Sequence, residues 1–126
     1  MAEGDQKPDI RAKSFSFAVR MVRLVRTLPN DVGSRTVARQ LPRSGMSIGA
    51  NVEEAQGSHS RADFARRMNI ARAEAREALY WLRLVAQSEM LPRNRLDDLT
   101  KEANELVSIL TAIVKTTREN IKGAPR

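Results

Sequence analysis

Residues 94–121 read NRLDDLTKEANELVSILTAIVKTTRENI. Within that stretch Leu96, Leu99, Ala103, Leu106, Leu110, Ile113 and Thr117 recur at alternating steps of three and four. Such steps return to one side of an α-helix and give the seam of a coiled-coil-like bundle. Pro92 stands before the run and Gly123-Ala124-Pro125 after it, so both ends are marked. A seam so regular must be covered. A free-standing zipper would require a second chain, whereas three other amphipathic segments of this chain are at hand, so the seam reads as core.

Those three segments precede it. A helix over 60–89 opens at Ser60, with Asp63 three residues on as a capping-box partner. Its core face is Phe64, Met68, Ala71, Ala75, Ala78, Leu79, Leu82 and Val85. A helix over 34–55 follows a turn at Gly33 and ends at Gly57, a residue favoured at helix C-termini. A helix over 14–28 starts with Ser14 as cap and stops at Pro29-Asn30. Residues 1–13 and 122–126 are expected to be disordered tails. Nothing alternates like a strand. Short connections favour antiparallel neighbours, so the expected fold is all-α, an antiparallel up-down-up-down four-helix bundle forming one domain.

Two of the helices carry more apolar surface than a bundle consumes. In the 14–28 helix the nine apolar residues from Phe15 to Leu28 cover an arc of roughly 220°, where a stripe somewhat over 100° suffices. The 60–89 helix adds a second face of Ile70, Tyr80, Trp81 and Leu84. A second buried surface on so small a chain points to self-association, with Phe17, Met21, Leu24, Leu28, Ile70, Tyr80, Trp81 and Leu84 as interface residues. The 34–55 helix is instead stripped of bulk by Ser44, Gly45, Ser47, Gly49 and Ala50. Each interior glycine costs about 1 kcal/mol relative to alanine, which is tolerated where another backbone approaches closely. Asn51 beside the core face is expected to fix helix register, and Pro42 to kink or restart the helix.

Charge supplies the functional hint. The chain of 126 residues has 22 Lys+Arg against 15 Asp+Glu, a net +7, so anionic partners are favoured. Arg20, Arg23 and Arg26 form one stripe; Arg72, Arg76 and Arg83 form another. Like charges at these spacings repel mildly and persist more readily against an anion such as RNA. The competing explanations are pairing with Glu74, Glu77, Glu102 or Glu105 between subunits, and a basic face that recognises an acidic protein. With no cysteine, disulfides and thiolate metal sites are excluded. His59 is the one histidine and the Glu-x-x-His pairs of a di-metal bundle are absent, so no metal, cofactor or catalytic centre is expected. No apolar run reaches the roughly 20 residues of a membrane span and the start MAEGDQKPD is too polar for a signal peptide, so a cytoplasmic protein without a membrane partner is expected.

The run Gln40-Leu41-Pro42-Arg43-Ser44-Gly45-Met46-Ser47-Ile48-Gly49-Ala50-Asn51-Val52-Glu53-Glu54-Ala55 resembles the signature of a bacterial family. So does the stretch from Phe64 through Asn69, Ala71, Glu74 and Glu77 to Tyr80-Trp81-Leu82. This is the four helix bundle protein family, also called 23S rRNA-intervening sequence proteins, and the likeness spans about residues 14 to 120. Ser44, Gly45, Ser47, Gly49, Asn51 and Glu54 belong to its more specific motif; Pro42 departs from it, where an ordinary helix former is usual. The resemblance implies a cytoplasmic homopentameric ring with a central channel. Through the similar accessory protein of diversity-generating retroelements, it also implies association with nucleic acid.

Overall fold

The computed structural model describes residues 9–123. It contains α1 (Ile10–Val25), α2 (Val32–Gln56), α3 (Arg61–Gln87) and α4 (Asp97–Gly123), with one 3-10 turn over Arg93–Arg95. No strand occurs among the described residues. Each helix packs on the next, and α1 returns to α4 to close the bundle, that last seam being the sparsest. Gly45 of α2 faces Met21 of α1 and Gly49 faces Ser14, so advancing along one helix retreats along the other. Arg67 near Glu54 and Arg43 near Glu77 show the same antiparallel register between α2 and α3. The centre is filled by Phe17, Met21, Leu41, Ile48, Met68, Leu82, Leu96 and Leu110.

The caps explain where the helices begin and correct two expectations. The first helix starts at Ile10, because the Asp9 carboxylate accepts from the backbone N–H of Arg11 at 3.1 Å and of Ala12 at 3.2 Å. Ser14 is therefore no cap: it is buried inside α1, its hydroxyl donating to the Arg11 carbonyl at 3.2 Å. Residues 10–13, expected as tail, are helix, and residues 122 and 123 belong to α4. The rest of both expected tails, residues 1–8 and 124–126, lies outside the described residues. Asp31 caps α2 by accepting from the Ser34 N–H at 2.9 Å and its hydroxyl at 3.0 Å, which hold its carboxyl below the ordinary range.

Ser60 caps α3 as expected, accepting from the Asp63 N–H at 3.0 Å. The reciprocal half of the capping box is missing, because the Asp63 carboxylate binds Arg66 and Arg67 instead. The end of α3 lies at Gln87, before the expected residue 89. There the Met90 N–H reaches the Val85 carbonyl and the Glu89 N–H the Ala86 carbonyl, both at 3.2 Å. That pattern is a Schellman turn, and it puts Glu89 at φ 59°, a left-handed position that normally takes glycine. Gly57 closes α2 at φ −95°, outside that region. Pro42 does not interrupt α2, which runs unbroken from Val32 to Gln56; the missing N–H leaves one intrahelical bond unmade.

Candidate functional site

Gly45 and Gly49 decide which face of α1 is used inside the chain. A Cβ on Gly45 would lie 2.6 Å from the Met21 Cγ, and one on Gly49 would lie 3.5 Å from the Ser14 carbonyl. Without those Cβ atoms α1 sinks onto α2, as the small-residue run of α2 predicts. The Phe17–Met21–Leu24 ridge is thereby consumed in the chain's own core, and Leu28 packs half-buried against it. These four residues, expected at a subunit interface, belong to the bundle. The opposite ridge of α1 is left outside. Phe15, Ala18, Val19 and Val22, with Met46 and Ala50 of α2, line an apolar groove of about 360 Å³. Phe15 is 70% exposed and Met46 49%. Arg11 and Glu53 also line this groove, joined by two N–H···O bonds of 3.1 Å.

The second expected face, on α3, divides. Ile70 and Tyr80 are exposed, Tyr80 by 57%, whereas Trp81 and Leu84 pack half-buried on the core. Trp81 meets the Tyr80 ring edge-on, centroids 5.1 Å apart, and donates its Nε1–H to the Glu77 carboxylate at 3.0 Å. Arg43 of α2 pairs with that same carboxylate and lies 3.5 Å from Glu74. The Trp81 bond, followed by Arg43, holds the Glu77 carboxyl below the usual range against the opposing effect of partial burial. Trp81 thus braces α3 to α2 through Glu77.

The two arginine stripes differ in the same way. Arg20 is taken by Glu102, an ion pair tying α1 to α4. Arg23 and Arg26 stay exposed at the end of α1, without ion pairs among the described residues. On α3, Arg72 is half-buried, and its Nε–H donates to Asn69 Oδ1 at 2.9 Å. Arg76 and Arg83 are exposed. Among the described residues none of these three pairs with a carboxylate, while Arg11, Arg20, Arg43, Arg66 and Arg67 all do.

Arg72 also faces residues that the sequence pattern alone does not single out. Between α3 and the last turns of α4 lies a groove of about 410 Å³ lined by Asn69, Arg72, Thr111, Val114, Lys115, Arg118, Glu119 and Lys122. Further along the α3–α4 valley, Arg83 and Arg93 line a second hollow with Asp97. Lys115, Arg118 and Lys122 repeat at steps of three and four beside the apolar seam of α4. That spacing is the signal from which sequence could have found them.

The small polar residues of α2 serve their own helix. Ser44 donates to the Leu41 carbonyl at 3.1 Å and Ser47 to the Arg43 carbonyl at 2.6 Å. Asn51 donates to the Ser47 carbonyl at 2.8 Å rather than to a neighbouring helix, so its amide does not set the register between helices. Glu54 lies 3.6 Å from Arg67. Among the described residues no three His, Asp or Glu side chains cluster as metal ligands, and no helix is long and apolar enough to cross a membrane.

A family model described as 23S rRNA-intervening sequence protein matches residues 6–112. Among solved structures, the chain is similar to a protein of unknown function of the S23 ribosomal protein family from Bacteroides thetaiotaomicron. Identity is 40%, with 84% of this chain and 98% of that chain covered, and the TM-score is 0.79. No curated protein matches the chain.

Proposed function

The chain belongs to the 23S rRNA-intervening sequence protein family, and from that premise we propose that it is a non-enzymatic, self-assembling bundle that binds RNA through the cations of its α3–α4 side. The observation that carries the reading is the division among its arginines. Arg11, Arg20, Arg43, Arg66 and Arg67 are spent on carboxylates of the same chain, whereas Arg72, Arg76 and Arg83 have none among the described residues. Unspent charge held on a rigid helix recruits phosphate at little ordering cost.

Self-assembly is supported by the groove around Phe15 and Met46, since contiguous apolar surface of this kind marks an interaction site. A ring of five, the state the family resemblance implies, would repeat the cationic valley around its circumference and multiply the field that steers a polyanion. The decisive measurement is light scattering on a sizing column, with the ratio of absorbance at 260 and 280 nm, on protein prepared without nuclease. A mass near five chains, carrying nucleic acid at low salt and losing it at high salt, is the expected result. A pentamer free of nucleic acid at every salt would favour an acidic protein as the partner of the same cations. A monomer would overturn the assembly.

A further inference from the structure

We infer that the groove between α3 and the last turns of α4 is a seat for the phosphodiester backbone of a nucleic acid, held by Arg72, Lys115, Arg118 and Lys122 and read without its bases. This rests on the reading above that the protein binds nucleic acid, and it names where and by what chemistry.

Four cations from two helices converge on one concavity, with Glu119 the single acid lining it. None of the four makes an ion pair among the described residues. Arg72 is preset for this task. Its Nε–H is held by Asn69 Oδ1 at 2.9 Å, so the guanidinium plane is fixed while its two terminal nitrogens keep the fork that fits a phosphate. Lys115 and Lys122 stand seven residues apart on α4 with Arg118 between them, roughly 10 Å at the helical rise. At about 3.4 Å of duplex axis per phosphate of one strand, that length covers about three phosphates of a double helix lying along α4, and fewer of an extended single strand.

The chemistry of the walls favours the backbone over the bases, and the one amide there, Asn69, already has its Oδ1 taken by Arg72. None of the chain's aromatic side chains lines the groove, so bases have no ring to stack on. The Thr111 hydroxyl is already spent on the Val107 carbonyl at 2.7 Å, and Val114 is buried. What the groove offers is positive charge, and what it fits is a backbone.

The test is fluorescence anisotropy of the full chain with a labelled mixed-sequence RNA of about 20 nucleotides, over a salt series. Lys115→Glu with Arg118→Glu should weaken binding at least about tenfold and flatten the slope of log affinity against log salt by about 1.4, about 0.7 for each phosphate of a single strand no longer neutralised. Arg23→Glu with Arg26→Glu should change affinity by less than about threefold, and homopolymers of A, U and C should bind within about threefold of one another. Circular dichroism and the mass in solution must match the parent; if the double variant misfolds, Lys115→Gln and Arg118→Gln singly should each lower the slope by about 0.7. Parent-like binding by the groove variants, while the parent binds RNA, would overturn this site and leave the proposed function standing. Loss of binding in the α1 variant instead would move the site to α1. A preference for one homopolymer beyond about tenfold would overturn backbone recognition. An absence of RNA binding by the parent at low salt would overturn both readings.

Discussion

The same substitution, made twice on α2 four residues apart, should stabilise the chain at one position and fail to do so at the other. Glycine to alanine in a helix interior gains about 1 kcal/mol from propensity alone. At Gly49 the added methyl would sit 3.5 Å from Ser14, an ordinary van der Waals distance, so Gly49→Ala should keep about 0.5–1 kcal/mol of that gain. At Gly45 it would sit 2.6 Å from Cγ of Met21, which is fully buried and has nowhere to retreat. Overpacking of this kind costs about 1–3 kcal/mol, so Gly45→Ala should come out neutral to about 2 kcal/mol destabilising. The gap between the variants is then about 0.5–3 kcal/mol, roughly 2–12 °C in melting temperature for a chain of this size. Thermal unfolding followed by circular dichroism reads it, at one fixed concentration because the proposed self-assembly would make the melting point depend on it. Placing Gly45→Ala in a Met21→Ala background should abolish its cost, a coupling of about 1–3 kcal/mol. A rise in melting temperature for Gly45→Ala as large as that for Gly49→Ala would refute the tight seat of Met21 on α2.

Phe15→Glu should lower the mass in solution while leaving helicity intact, whereas Phe17→Ala should cost about 3–5 kcal/mol in a denaturant titration; equal behaviour of the two would contradict the assignment of faces. Glu89→Gly should stabilise the chain by about 0.5–1 kcal/mol, because a non-glycine residue in the left-handed region is strained, and chemical unfolding measures it. The depressed Glu77 carboxyl contributes stability that is complete above the ordinary carboxylate range and is lost as pH falls through its lowered folded pKa. Trp81→Phe removes the main cause of that depression, so the Glu77 carboxyl carbon, followed by NMR, should titrate at higher pH than in the parent; an unmoved midpoint would assign the shift to Arg43.

A residue's place was legible in the sequence where its partner is implied by its own helix. The α4 seam was legible because Leu99, Ala103, Leu106 and Leu110 can only point inward together. The close approach at Gly45 was legible because bulk was missing where bulk is cheap. The inward face of α1 was not, since an arc of roughly 220° offers two ridges of similar character and the choice is made by the glycines of α2. Ser14 looked like a cap because serine commonly is one, but Asp9 lies one turn earlier and accepts from two N–H groups. The same limit applies to charge. Glu102 stood among the possible partners of the arginine stripes, yet its choice of Arg20 depends on α1 lying against α4. Lys115, Arg118 and Lys122 were hidden beside a strong apolar period on the same helix, and their significance comes from Arg72 across the groove.

The sparse seam between α1 and α4 has a consequence for how the chain holds its first helix. Arg20–Glu102 is a partly exposed pair, and such pairs contribute only about 0–1 kcal/mol. α1 is therefore the helix that can detach at least expense, leaving α2, α3 and α4 packed together. Its outer ridge, Phe15 to Val22, is also the surface proposed above to receive a neighbouring copy. A neighbour seated there would clamp the helix with the sparsest packing from outside, so that ordering of α1 and the proposed association would draw on one free energy. Dilution should then quicken amide exchange along α1 while α3 stays protected, making the first helix a gauge of how many copies are in company.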